Sequence, residues 1–74
     1  MSSVFMRFFM KNKISEFRKA LNLTQRQLAE KVGITYQSLQ RYEKGTVLPS
    51  VDIAIRLAEA LGATVEKLFI SDKD

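Results

Sequence analysis

The stretch from Thr24 to Gly45, TQRQLAEKVGITYQSLQRYEKG, constrains this chain more than any other part of it, because it specifies two short helices and a sharp turn between them. Thr24 and Gln27 form a capping box: the threonine hydroxyl accepts from the N–H of Gln27, and the glutamine side chain accepts from the N–H of Thr24. Leu23 and Leu28 flank that cap as a hydrophobic staple. Behind it, Leu28, Ala29 and Val32 fall on one helix face, while Gln25, Arg26, Glu30 and Lys31 fall on the other. Gly33 can leave a helix with positive φ, Ile34 supplies an apolar plug, and Thr35 offers a hydroxyl to cap the next helix. The second helix is therefore expected to start near Tyr36 and run to Lys44, where Gly45 can stop it by the same left-handed device.

A wheel at about 100° per residue sends Leu39 and Tyr42 of that second helix inward and gathers Gln37, Gln40, Arg41 and Lys44 on the opposite face. No acid interrupts the outward face. Glu43 falls on the inward flank, where a carboxylate requires a partner, and Arg18 on the preceding helix is the candidate. Charge is divided along the chain. Residues 10–44 carry eight Lys or Arg against three acids, whereas residues 45–74 carry three against five. The basic end is the end that holds the two short helices, and it would draw a polyanion to that side with steep salt dependence. A merely solvated basic surface is the competing explanation.

With 74 residues and 46% hydrophobic content, the chain can build one modest core and no second one. It contains neither Cys nor His, which removes disulfides, thiolate and imidazole metal ligands and the usual general base. Packing must then hold it together. A further helix, capped by Ser50 after Pro49 and closed by Gly62, puts Ala54, Leu57, Ala58 and Leu61 on one stripe. Ile14, Phe17, Leu21, Leu28, Val32, Leu39, Val65, Leu68 and Phe69 are expected to complete the core.

Taken together, LTQRQLAEKVGIT, LQRYEKG, LP with a helix ending in LAEALG, and TVEKLF resemble the Cro/C1-type (XRE-like) helix-turn-helix family over residues 10–70. The resemblance implies an all-α fold, a compact five-helix bundle of the lambda-repressor-like DNA-binding type. It places the helices at Ile14 to Leu21, Thr24 to Val32, Thr35 to Lys44 (the recognition helix), Ser50 to Leu61 and Thr64 to Phe69. It also implies an ion pair between an Arg of the first helix and a Glu ending the third, which agrees with Arg18 and Glu43.

A helix fits the major groove with its N-terminal end and outward face against base edges, so Thr35, Tyr36, Gln37 and Arg41 are the expected base contacts. Gln37 can bond the N6 and N7 edge of adenine, Arg41 can fork onto guanine O6 and N7, and Tyr36 or Thr35 can touch a thymine methyl or a phosphate. Gln25 at a helix N-terminus, Gln40, Lys44 and Thr46 are the expected phosphate contacts. One such domain reads few base pairs, so the expected partner is double-stranded DNA bound by a homodimer on half-sites about 34 Å apart. The resemblance implies dimerisation through the C-terminal region, with the fifth helix, Ile70 and Ile55 as candidates. The function implied is a transcriptional regulator, a repressor in the leading reading. The alternative is an antitoxin-like module that binds DNA and also a partner protein.

No His, no Cys, no Gly-rich phosphate loop and no defensible carboxylate cluster argue against an enzyme, and no cofactor or metal is expected. Residues 1–9, MSSVFMRFF, fit none of this pattern: they are apolar, carry only Arg7 as a charge, and precede Met10. Met6 and Met10 each offer an alternative translation start; otherwise Val4 to Phe9 form an extended arm that packs on the core or pairs with a second subunit. The segment is too short to span a membrane and lacks the basic start and cleavage site of a secretory signal, which makes the cytoplasm the expected location. Residues 71–74 form a short polar tail, with no length for an effector domain.

Overall fold

Four helix starts and three glycine stops set the architecture, and each is made by a side chain or backbone group close in sequence. The computed structural model describes residues 11–70. In chain order these form β1 (Lys11–Asn12), α1 (Ile14–Ala20), α2 (Gln25–Val32), α3 (Tyr36–Lys44), α4 (Val51–Leu61), α5 (Val65–Leu68) and β2 (Phe69–Ile70). Thr24, Thr35, Ser50 and Thr64 hold extended backbone before α2, α3, α4 and α5, and each hydroxyl accepts from an N–H in the first turn. The Thr24 capping box is complete: Gln27 N–H donates to Thr24 Oγ1 at 3.0 Å, and Thr24 N–H donates to Gln27 Oε1 at 2.8 Å.

Gly33 and Gly45 end the two central helices at φ 81°, where an L side chain is strained. At each, the N–H of the glycine and that of the next residue close back onto the last turn. Ile34 N–H donates to the Ala29 carbonyl at 3.0 Å, and Thr46 N–H to the Arg41 carbonyl at 3.2 Å. Asn22 does the same for α1 at φ 59°, a conformation asparagine tolerates better than other non-glycine residues. Leu23 N–H then donates to the Arg18 carbonyl at 3.1 Å.

The helices close around Ile14, Leu28, Leu39, Leu57 and Leu68, all fully buried, with Ala29, Val32, Ala58 and Leu61 filling between them. Phe17, Leu23, Ile34, Tyr42 and Phe69 pack on that core while remaining partly exposed. Two expected core residues lie outside it. Leu21 is 49% exposed, because α1 stops at Ala20 and the turn at Asn22 brings Leu23 against the core in its place. Val65 is 37% exposed, because α5 is a single turn that can direct only one large side chain, Leu68, fully inward.

The two-stranded antiparallel pair was not expected. Lys11 is opposite Ile70 and Asn12 opposite Phe69, so Phe69 belongs to a strand and not to the end of the fifth helix. Asn12 does more than pair. Its Oδ1 accepts from the Ile14 N–H at 3.1 Å, and its Nδ2 donates to the Tyr42 carbonyl at 3.0 Å. One short side chain thus joins the start of α1 to the last turn of α3.

Candidate nucleic-acid interface

The orientation of α3 is set from behind by a buried polar cluster. Arg18 on α1 donates from Nε to Glu43 Oε2 at 2.7 Å and from Nη2 to Oε1 at 3.2 Å, a fork on both carboxylate oxygens. Its Nη1 donates to the Leu23 carbonyl at 2.9 Å. The side chains are 11% and 7% exposed, so the expected pair is present and desolvated. A buried carboxylate needs its remaining lone pairs filled, and Gln25 on α2 supplies the third donor, from Nε2 to Glu43 Oε1 at 2.9 Å. Three helices are therefore locked together at the end of α3.

That cluster alters the role available to Gln25. Its side chain, expected at a phosphate, is half-buried and committed to Glu43. Its backbone N–H, in the first turn of α2, has no acceptor within the helix.

The opposite face of α3 is open. Gln37, Arg41 and Lys44 are exposed and, among the described residues, hold no side-chain hydrogen bond or ion pair. Spacings of four and three residues stack them in one stripe. Thr35 is exposed at the N-terminus, but its hydroxyl is engaged: it donates to Ser38 Oγ at 2.9 Å and accepts from the Ser38 N–H at 3.1 Å. Its methyl stays available for apolar contact. Thr46 is exposed just past the helix, with its hydroxyl at 3.4 Å from the Arg41 carbonyl.

Tyr36 and Gln40 form a unit. Gln40 Nε2 donates to the Tyr36 hydroxyl at 3.1 Å, and the Arg26 guanidinium of α2 lies 4.3 Å from the centre of the Tyr36 ring. A cation over an aromatic face is attractive by about 0.5–1 kcal/mol at exposed sites. Arg26 was legible only as an outward residue of α2; helix wheels treat each helix alone, and only the packing angle brings it over Tyr36. Asn12 was missed for the same reason, since its two carbonyl partners lie 30 and 31 residues away.

The helix-turn-helix family model matches residues 14–68, which include all five helices. A relative from Methanothermobacter thermautotrophicus, described as an HTH-type transcriptional regulator, is 48% identical over 66 residues, covering 88% of this chain and 96% of that protein. The chain belongs to the Cro/C1-type helix-turn-helix family of DNA-binding transcriptional regulators. The CTXphi transcriptional repressor RstR of Vibrio cholerae is 36% identical over 58 residues, 78% of this chain and 52% of that protein. Among solved structures, the restriction-modification controller protein C.AhdI of Aeromonas hydrophila superposes with a TM-score of 0.72 at 30% identity, over 77% of this chain and 86% of that one.

In a helix-turn-helix regulator the second helix of the motif enters the major groove, which here is α3. Its stripe is polar, basic and free of acid, with Arg26 of α2 beside its N-terminal end. Such a surface has the chemistry for both phosphate and base-edge contact.

Proposed function

We propose that this chain is a sequence-specific transcriptional repressor that binds an inverted-repeat operator as a homodimer, with α3 in the major groove. The observation that carries this reading is the unengaged stripe of Gln37, Arg41 and Lys44 on a helix whose other side is locked by Arg18 and Glu43. Side chains with no internal partner need not break one to meet DNA. Gln37 and Arg41 contact base edges, with the Thr35 methyl and the Tyr36 hydroxyl at the N-terminal end of the helix. Gln40 holds that hydroxyl, so its phosphate contact is made through whatever hydrogen-bonding capacity Tyr36 leaves. Lys44, Thr46 and the Gln25 N–H set register on phosphates.

Two copies associate through the C-terminal region, where Ile55 is 45% exposed. Ile70 belongs to the same region, though its side chain is outside the described residues. Half-sites are then about 34 Å apart, one turn of the duplex.

Selection from random duplex DNA at near-physiological salt tests the reading. An inverted repeat should be enriched, and Gln37→Ala and Arg41→Ala should each lose about 1–3 kcal/mol on it while relaxing specificity at one position. Lys44→Ala should weaken all sequences alike and reduce the salt slope by about one. No enriched motif, with weak binding indifferent to Gln37 and Arg41, would sink sequence reading by α3.

A further inference from the structure

The first turn of α3 holds one side chain in two places at once. Tyr36 is half-buried at the start of the helix, with the Arg26 guanidinium 4.3 Å from the centre of its ring and Gln40 Nε2 donating to its hydroxyl at 3.1 Å. A tyrosine side chain has two χ angles, and a contact on the ring face together with one at the hydroxyl fixes both. The fold asks little else of these groups. Arg26 is exposed and, among the described residues, its guanidinium holds no hydrogen bond or ion pair; the Gln40 side chain bonds only Tyr36. Arg26 also stands in the first turn of α2, where the helix dipole disfavours a cation and no acid is present to offset it. The stability of α2 does not account for an arginine at that position.

We infer that Arg26 and Gln40 present Tyr36 to the major groove as a hydrogen-bond donor, so that its hydroxyl selects bases carrying an acceptor and Arg26 is its positioning residue on α2. This rests on the reading of α3 as the helix that enters the groove. A tyrosine hydroxyl can both donate and accept. Gln40 donates to it, so an acceptor lone pair is spent inside the protein and the proton stays free. The neighbouring Thr35 is the opposite case, since its proton goes to Ser38 Oγ at 2.9 Å. In the major groove guanine shows N7 and O6, adenine N7 and thymine O4 as acceptors, whereas cytosine shows only its N4 amine, a donor. A donor held in place meets a partner at the first three and a second donor at the fourth. Cytosine is therefore the base this hydroxyl rejects, by roughly tenfold, the effect of one unmade hydrogen bond. Gln40 keeps its second N–H and its Oε1 for the phosphate contact already assigned to it.

Arg26 acts through the ring. Without the guanidinium on its face, the ring keeps the bond from Gln40 as its remaining tether and swings about it, so the proton no longer meets the base edge at a fixed point. The N–H groups of Arg26 are themselves free to reach a phosphate, a contact blind to sequence. The two roles separate by experiment: a loss shared by all sequences belongs to the phosphate contact, and a loss confined to one base position belongs to Tyr36.

The test is the affinity of the full chain for the selected operator and every single-base variant of it, compared with Tyr36→Phe, Arg26→Ala, the double variant and Gln40→Glu, together with ring-proton spectra of Tyr36 without DNA. One position should disfavour cytosine by roughly tenfold in the wild type, and both Tyr36→Phe and Arg26→Ala should flatten that preference. In the Tyr36→Phe background, Arg26→Ala should change no base ratio. Gln40→Glu replaces the donor with a carboxylate, which takes the hydroxyl proton and leaves the tyrosine oxygen facing outward as an acceptor. Cytosine should then overtake guanine and thymine, which offer no amine in the major groove, while the added charge weakens every sequence alike. A purely structural role would not invert a preference. Cytosine favoured by the wild type, or base ratios indifferent to Arg26→Ala, would overturn the inference while leaving α3 in the groove; binding with no base preference at any position would overturn both. Ring signals of Tyr36 that do not move in Arg26→Ala would refute the positioning role whatever the DNA result.

Discussion

The α2–α3 pair and the α4–α5 pair obey one amphipathic rule and present opposite surfaces. Each buries leucine and alanine against the shared core. Outside, α3 shows Gln37, Arg41 and Lys44, whereas α4 and α5 show Val51, Ile55 and Val65. A polar side chain at a surface is solvated and waits for a partner at little cost. An apolar one left in water forgoes about 25 cal/mol for each Å² that contact would cover. The difference separates a surface poised for a charged, hydrated ligand from one that gains by being covered.

The two pairs also differ in how they are held. Glu43 fastens α3 to α2 through Gln25 and to α1 through the buried ion pair with Arg18, and removing one side of that ion pair is the most disruptive change available. Arg18→Ala should cost about 3–5 kcal/mol in denaturant unfolding, because it leaves Glu43 buried with Gln25 as its only side-chain donor among the described residues. A loss under about 1 kcal/mol would mean that the carboxylate reaches water and that the cluster does not orient α3.

Asn12 sharpens the comparison from the other direction, since it bonds the last turn of α3 from the strand that also meets β2. Asn12→Ala should cost about 1–3 kcal/mol and lower operator affinity through disorder at the end of α3. Unchanged amide exchange at Tyr42 and Glu43 in that variant would assign its role to the strand pair alone.

The smallest effect belongs to α4. The Ser50 hydroxyl, donating to Asp52 at 2.8 Å, is the main cause that holds the Asp52 carboxyl below its ordinary range, with Arg56 adding a weaker attraction. Its folded pKa is depressed, so the stabilisation is present above the unfolded value and is lost as pH falls through the folded one. The side chain is solvent-exposed and the effect is screened. Thermal melts of Asp52→Asn should therefore run slightly below the wild type at neutral pH and converge with it in acid below about pH 4. A gap that persists in acid would assign the difference to the amide itself and not to charge.

Helix boundaries and caps were legible because they are local: a Thr, a Gln three residues on and a Gly at the end settle a turn of backbone within hydrogen-bond reach of itself. Arg18 and Glu43 were legible because a charge on an inward face demands an opposite one, and few inward charges exist here. Most of the outward stripe of α3 followed from the same periodicity. The short pair β1 and β2 was not legible, because two residues carry no alternating pattern and the partners lie at opposite ends of the domain.

Sequence by itself thus determined where α2, α3 and α4 start and stop, which face of each is apolar and that Gln37, Arg41 and Lys44 share the outward stripe of α3. Tertiary structure alone decided that Gln25 serves Glu43, that Arg26 lies over Tyr36, that Asn12 closes the end of α3, and that Val65 lines a groove instead of the core. The reason is range. Capping and periodicity act within about one or two turns of one helix, whereas these four contacts depend on the angles at which separate helices and strands pack, and no local rule encodes an angle.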